Sequence, residues 1–576
     1  MSDRGSTGAG LSSNTFAIFY HPDGYDVDNH PLMGRRAAGK SFLDAWIDRR
    51  GADALHCHAA GKKQFDDFCG VARDRGAAAS PVWIPQQNPE QLARVGALYY
   101  PGPDIATHAW RRFKRAPSGW SLIGVTHTIC TKTAMDAISD WVTAPVEPWD
   151  AVICTSKAVR ESVDYQLAAQ REYLAHRLGA AHFTAPQLPV IPLGIHTDDF
   201  APDPQLRGSA RSQLGLAEDE IAVLFLGRLD RYSKAHPAPM LIALERAAAV
   251  TGVKLCLVMA GWFANAKAEP ALREDAAAWA PHVRLEIVDG RDETLRAGVW
   301  RAADIFLSLV DNIQETFGLT PVEAMAAGLP SVVSDWDGYK DTVRDGIDGF
   351  RIPTGIPPAI LGEAMIDRFA AGLDTYGGYL ARSASMVVVD IAAAASALGK
   401  LLVDGNLRRQ MGDAARQRAV ATFDWRVVLE QYQGVIDALA ERRRAAPTAE
   451  SPRPRKWPAR LPPFEMFGNY ATRRLSGQDI VRLAPEVNPE VIAYIASAEK
   501  AIIRDQAVFI ANGQRLVELV GRRGPVSISD LLQNEAEEAR RLSLRTLLML
   551  AKFGVIAIES PEAPRGNSVF SPDAGR

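Results

Sequence analysis

Short runs of aliphatic and β-branched residues alternate along most of the chain with longer stretches whose apolar positions recur at helical spacing. In the first part the runs cover residues 16–20, 122–125 and 151–154, with a further one at 82–84 that Pro81 and Pro85 confine to three residues. Helical patterns fill 41–49 and 156–177. The alternation restarts after Pro192-Leu-Gly194, with runs at 221–226, 254–258, 283–287, 305–309 and 331–333 and a helical pattern at 239–250. Most of these runs are followed closely by Gly, Asp or Ser. Such a pattern predicts an α/β chain in which parallel sheets are covered by helices on both faces. It gives two doubly wound, Rossmann-like domains, residues 14–195 and 196–440.

The chain has 576 residues, too many for one hydrophobic core. Apolar residues make up 47% and charged residues 23%, as in an ordinary soluble globular protein. A net charge of -3 implies no global attraction to nucleic acid or membrane. The cysteines number five, with irregular spacing and no CxxC pair, which argues for a reducing compartment and against a structural zinc site or a disulfide framework. His56-Cys57-His58 reads as a strand end with incidental histidines, because no second ligand cluster follows. Residues 1–13 are Ser/Gly-rich without an apolar signal core, and are expected to be disordered. The most apolar long stretch, 386–403, is interrupted by Asp390 and Lys400 and does not span a bilayer. These features predict a cytoplasmic chain that is at most peripheral to a membrane.

Residues 441–465 are basic and proline-rich and read as a linker. Beyond them, 466–576 reads as a small, mainly helical domain. Its segment 526–558 runs short helix, turn, longer helix, short strand, and resembles a winged helix-turn-helix. Arg540, Arg541 and Arg545 lie on the longer helix, but Glu535, Glu537 and Glu538 crowd its start. That balance favours a protein partner or self-association over nucleic acid.

The segment Glu315-Thr-Phe-Gly-Leu-Thr-Pro-Val-Glu323 carries the most chemistry. It follows a strand and opens a helix, with Thr320 as the expected N-cap, Pro321 at the first helical position and Glu323 three residues after the cap; Gly328 and Pro330 close it. Backbone N–H groups between Gly318 and Val322 then stand at a helix N-terminus, where about half a positive charge suits a diphosphate. The place lies beyond the carboxyl end of a strand, where open α/β sheets bind ligands. Taken alone, Glu323 fits a capping box equally well and Glu315 a solvated loop charge. A second segment, Gly227-Arg228 to Lys234, follows the first strand of the second domain. Two cations there would neutralise a leaving diphosphate without a metal; standing alone they would read as surface charges.

Together these segments resemble the retaining glycosyltransferases of family 4, which have the GT-B fold of two Rossmann-like domains facing a cleft. The shared features are Gly227, Arg228 and Lys234, the Glu-x7-Glu pair Glu315 and Glu323, Phe317-Gly-Leu, Ala324-Met-Ala, Ser331-Val-Val-Ser-Asp, Asp345-Gly-Ile-Asp-Gly349 and Phe423-Asp-Trp. The resemblance spans roughly residues 15–440. It implies that Arg228 and Lys234 hold the donor diphosphate, that the backbone at Gly318, Leu319 and Thr320 binds its distal phosphate, that Glu323 takes the ribose hydroxyls and that Glu315 meets the sugar, with Phe317 and Gly227 in the donor-binding segments. His127, ending the run at 122–125, would contact the donor sugar, or else be a satisfied histidine at a strand end. Gly34 and Gly39 lie in a stretch that matches the P-loop expression GxxxxGK[ST], but residues 28–33 before it make a poor strand. The resemblance makes them close-approach glycines in a loop near donor phosphate and acceptor. Asp335-Trp-Asp337 imitates a metal motif of the other major glycosyltransferase fold and reads as loop acids.

The expected activity is transfer of a sugar from a nucleotide-diphosphate donor to a glycan, lipid-linked or protein acceptor, with retention at the anomeric carbon and neither metal nor cofactor. An epimerase or phosphorylase on the same fold is the alternative. The lysine stands six residues after the arginine, where five is common, and Asp337-Gly-Tyr stands where many members have Gly-Gly.

Overall fold

The computed structural model describes residues 14–25, 34–50, 53–263, 265, 267–446, 456–485 and 490–561. The N-terminal segment 1–13, residues 28–33 and the middle of the linker lie outside them. The chain divides into two compact units, 1–457 and 458–576.

The first unit holds two six-stranded parallel sheets. One contains β1 (Ala17–Phe19), β2 (His56–Ala59), β3 (Val82–Pro85), β4 (Ala97–Tyr99), β5 (Ser121–Val125) and β6 (Ala151–Ile153), in the order β3-β2-β1-β4-β5-β6. The other contains β7 (Ile221–Arg228), β8 (Leu255–Trp262), β9 (Arg284–Asp289), β10 (Ile305–Ser308), β11 (Ser331–Ser334) and β12 (Gly349–Ile352), in the order β12-β11-β10-β7-β8-β9. Counted within each domain, both sheets follow the order 3-2-1-4-5-6 of a doubly wound fold, so each has a switch point between its first and fourth strands.

The prolines around residues 82–84 are compatible with a strand because β3 is the sheet edge, pairing only with β2. His56, Cys57 and His58 are not a strand end. They form β2, between β3 and β1, with His58 Nδ1 3.0 Å from the Ile84 carbonyl oxygen and burial lowering that imidazole to about 4. β4 gives no run of its own: its three buried residues lie between Gly96 and Tyr100-Pro101 and take their strand conformation from β1 and β5 on either side.

After β12 the chain leaves through β13 (Thr354–Gly355), forms helices Ile360–Ala370 and Tyr376–Ala384, and returns through β14 (Val388–Val389), which pairs antiparallel with β13. The late helix Trp425–Ala445 crosses back to the first domain. Its Val428, Leu429, Tyr432 and Ile436 join the core beneath β1 and β2, and Trp425 Nε1 donates to Ser41 Oγ at 2.7 Å.

The second unit packs helices Gln506–Arg523 and Glu537–Lys552 on an antiparallel sheet ordered β16-β15-β17, formed by β15 (Ile480–Leu483), β16 (Val526–Ser527) and β17 (Ile556–Glu559). Val481, Leu516, Leu547 and Leu550 make the centre of its core. Among the described residues no helix is long and apolar enough to cross a membrane.

Candidate functional site

A cleft of about 1470 Å³ opens at the carboxyl ends of the two sheets. On the side of the second domain its floor is built from the segments that follow β7 and β10, which are adjacent strands. β7 ends in Gly227-Arg228. The Asp230 carboxylate then accepts the backbone N–H groups of Tyr232 and Ser233 at 2.9 and 2.7 Å, closing an Asx-type turn that delivers Lys234 back over the strand end. A Cβ at Gly227 would lie 3.2 Å from Lys234 Cε, so the bare backbone leaves that side chain its path. Arg228 Nη1 donates to Ser233 Oγ at 3.3 Å.

The segment after β10 is tied to this turn by two amides that sequence reading did not single out. Asn312 Nδ2 donates to the Lys234 carbonyl, Gln314 Nε2 donates to the Ser233 carbonyl at 3.1 Å, and Trp336 Nε1 holds the Asn312 carbonyl at 2.9 Å. The tie brings Lys234 Nζ 2.5 Å from Glu315 Oε2, with the two side chains only 18% and 15% exposed. Burial works against both charges, but the pair outweighs it: Lys234 is held above its usual range and Glu315 below.

Helix Leu319–Ala326 begins at Gly318, not at Thr320. Gly318 is the N-cap because the chain must turn there with φ of 81°, and because a Cβ would stand 2.0 Å from the Tyr339 ring. Thr320 is therefore the second helical residue, and among the described residues no side-chain cap is seen at this N-terminus. The backbone N–H groups of Gly318, Leu319 and Thr320 precede the first intrahelical donor, and all three residues line the cleft. One turn further, Glu323 is half-buried and does not act as a cap; desolvation raises its carboxyl to about 7, opposed by Arg296 and Lys234.

Arg228, Lys234, Glu315, Gly318, Leu319, Thr320 and Glu323 thus face one cleft. His127 follows β5 on the opposite wall, half-buried, with burial and then Arg35 lowering it to about 4, so the ring is neutral near pH 7. Phe317 contributes mainly packing: it is 1% exposed, its ring 6.1 Å from that of Phe423.

The two early glycines do not lie in a loop. Both belong to helix Gly34–Arg50, because the run of helix formers extends past its lysine to the first glycine. Gly34 lines the cleft; Gly39 is buried, and its close approach is internal, since a Cβ there would lie 2.2 Å from the Gly24 carbonyl oxygen. Asp335 faces Arg351 at 3.5 Å, and Asp337, at φ of 44°, accepts from Ser156 Oγ at 3.5 Å.

Tyr376 also reaches the cleft. Its hydroxyl donates to Gln314 Oε1 at 3.0 Å and stands 3.4 Å from both Thr128 Oγ1 and Cys130 Sγ. Its surroundings in sequence, Asp-Thr-Tyr-Gly-Gly, carry no signal for such a place.

Residues 207–367 match the family described as glycosyl transferases group 1, so this part of the chain is a glycosyltransferase group 1 domain. A phosphatidyl-myo-inositol mannosyltransferase of Mycobacterium leprae is 32% identical over 252 residues, 43% of this chain and 53% of the relative. A D-inositol 3-phosphate glycosyltransferase of Mycobacterium marinum is 28% identical over 384 residues, 64% of this chain and 72% of the relative. The chain thus spans about half the length of the first of these curated relatives. Among solved structures, Anabaena Alr3699/HepE in complex with UDP aligns with a TM-score of 0.47 at 15% identity, covering 74% of this chain and all of that one (100%).

Proposed function

We propose that this chain is a retaining, metal-independent glycosyltransferase that takes a sugar from a nucleotide-diphosphate donor and passes it to an acceptor entering from the wall that carries His127. The observation that carries this reading is the meeting of Arg228, Lys234 and an uncapped helix N-terminus in one cleft, all within the glycosyltransferase group 1 domain. As the bond from the anomeric carbon to the diphosphate breaks, negative charge grows on the leaving phosphate. Preorganised donors in a half-buried site stabilise that charge more than water does.

Each side chain has a task that its geometry allows. One N–H of the Lys234 ammonium is taken by Glu315, which leaves two for phosphate oxygens. Arg228 offers its guanidinium fork beside it. The amides of Gly318, Leu319 and Thr320 add main-chain donors at the positive end of the helix. The Glu315 carboxylate keeps lone pairs free for sugar hydroxyls, and Glu323 accepts the ribose diol. The neutral His127 ring accepts or donates one hydrogen bond at the sugar without adding charge. No side chain need act as nucleophile: the leaving phosphate oxygen takes the acceptor proton on the same face of the sugar, which preserves the anomeric configuration.

The relatives are named for phosphatidyl-myo-inositol and D-inositol 3-phosphate. We place an acceptor of that kind, a polyol either free or lipid-linked, against the first domain's wall, in a cytoplasmic protein at most peripheral to a membrane. The second unit serves protein contact in this reading. Arg541 is paired with Glu537, Arg540 with the Gln533 and Glu535 carbonyls, while Leu544 and Leu548 are exposed on the same helix.

The test is a thermal-shift panel of nucleoside diphosphates and their sugars, followed by NMR assignment of the product anomer with and without EDTA. A product of inverted configuration, or activity abolished by EDTA, would sink the respective part of the reading.

A further inference from the structure

The hairpin of helices between β13 and β14 is anchored at its neck to the second domain, yet its tip meets the first. Lys132 Nζ donates to the Ala370 carbonyl at 3.2 Å and lies 5.1 Å from the centre of the Phe369 ring, which stacks on Tyr379 at 4.5 Å. Thr375 caps helix Tyr376–Ala384 by accepting the Gly378 N–H at 3.1 Å, and this fixes Tyr376 as the first helical residue. From there the phenol reaches into the cleft.

Its single proton goes to Gln314 Oε1 at 3.0 Å, so its oxygen is left to accept from Thr128 Oγ1 or Cys130 Sγ, both at 3.4 Å. Gln314 spends its other amide atom on the Ser233 carbonyl at 3.1 Å. One glutamine and one tyrosine therefore connect three segments: the turn that carries Lys234, the loop that carries Glu315, and the loop that carries His127 on the far wall. Of the links, the O–O contact to Thr128 is the slack one. At 3.4 Å it exceeds the 2.7–2.8 Å typical of a hydroxyl pair, so approach of the two walls by about half an ångström strengthens it.

We propose that Tyr376 is a positioning residue for the transfer, tying Gln314 to Thr128 across the cleft and so setting the distance between the donor-side and acceptor-side walls. The inference rests on the donor-site reading above. It adds that the hairpin 356–387 acts as a strap whose polar link through Tyr376 registers the two domains, beside the Lys132 contact at its tip, leaving the diphosphate grip to Arg228 and Lys234.

The test uses the full chain, Tyr376→Phe, and the pair Thr128→Val with Cys130→Ala, alone and combined. Hydrogen exchange needs no ligand: amides of 127–131 and 312–316 are expected to exchange about fivefold faster in Tyr376→Phe. UDP and GDP affinities by calorimetry are expected within about twofold of wild type. For whichever of UDP-glucose or GDP-mannose the wild type hydrolyses, kcat is expected to fall about fivefold to tenfold, the worth of one neutral hydrogen bond, with KM little changed. Adding the Thr128 and Cys130 changes to Tyr376→Phe is expected to cost nothing more, because the link is already cut. Unchanged exchange and kcat, strictly additive losses, or a parallel loss of nucleotide affinity would each overturn the proposal. A wild type that binds neither nucleotide overturns the donor-site reading and this inference with it, whereas wild-type binding with an unaltered Tyr376→Phe overturns the inference alone.

Discussion

The Lys234 ammonium and the Glu315 carboxylate, 81 positions apart in the chain, stand 2.5 Å from each other. They meet because β7 and β10 are neighbours at the switch point of the second sheet, so the segments leaving those two strands open onto the same crevice. The pair keeps the lysine protonated and aims it.

Lys234→Ala is therefore expected to weaken nucleoside diphosphate binding about 100-fold or more and also to leave Glu315 short of its partner. A largely buried carboxylate without its cation costs about 1–3 kcal/mol, so the melting temperature should fall by several degrees. Lys234→Ala with Glu315→Gln should recover most of that stability and none of the affinity. Calorimetric titration beside thermal denaturation separates the two effects. Wild-type affinity in Lys234→Ala would remove the lysine from the site.

Glu323 gives a pH signature. Its carboxyl is raised to about 7 by desolvation, above the ordinary glutamate value of 4.5. The protonated form is thus favoured by the fold, and its contribution to stability is present below pH 4.5 and lost as pH rises through 7. Glu323→Gln should leave stability unchanged near pH 4 and raise it at pH 8 by about 1–3 kcal/mol. The same change should lower donor affinity about tenfold, and the wild-type gain in affinity between pH 6 and 8, as the carboxylate forms, should vanish. Denaturation and binding measured at the three pH values check both signs.

Gly318→Ala tests the helix start. The new methyl would meet the Tyr339 ring at 2.0 Å in a backbone of positive φ, and the ring is fixed by its hydroxyl, 3.1 Å from Ser308 Oγ. The amides of Gly318 to Thr320 must then move. A loss of about 2 kcal/mol or more in stability is expected, with donor binding abolished. A variant with unaltered melting and binding would show that this turn does not shape the site.

Arg112 and Asp150 provide a control far from the chemistry. Their side chains are 1% and 0% exposed, paired through Nη2 and Oδ2 at 2.6 Å, and Asp150 also accepts the Leu122 and Glu147 N–H groups at 2.8 Å each. Arg112→Met should cost about 3–5 kcal/mol, because it strands a buried carboxylate. Nucleotide affinity of the surviving folded protein should match wild type, which chemical denaturation and calorimetry together would show.

Much of this was legible in the residues. Runs such as 221–226 and 151–154 are buried on both faces of a parallel sheet, so they are apolar throughout and announce themselves locally. Gly227-Arg228, Lys234, Glu315 and Glu323 stood out because strand ends and helix starts leave marks at fixed spacing. β4 did not: three residues become a strand only when β1 and β5 supply their hydrogen bonds. Thr320 was misread as the cap because Thr-Pro-x-Glu has the spacing of one. Steric contact with Tyr339, distant in sequence, moves the start back to Gly318.

The chain by itself determined most of the strands and helices and the order in which their chemical groups fall along them, since hydrophobic period and capping preference act over a few residues. Only the tertiary structure decided which of those groups share a cleft. Gln314 and Tyr376 look like any amide and any phenol until the sheet order and the β13–β14 hairpin bring them within 3.0 Å, because side-chain chemistry between distant positions depends on distance, and distance is set by packing.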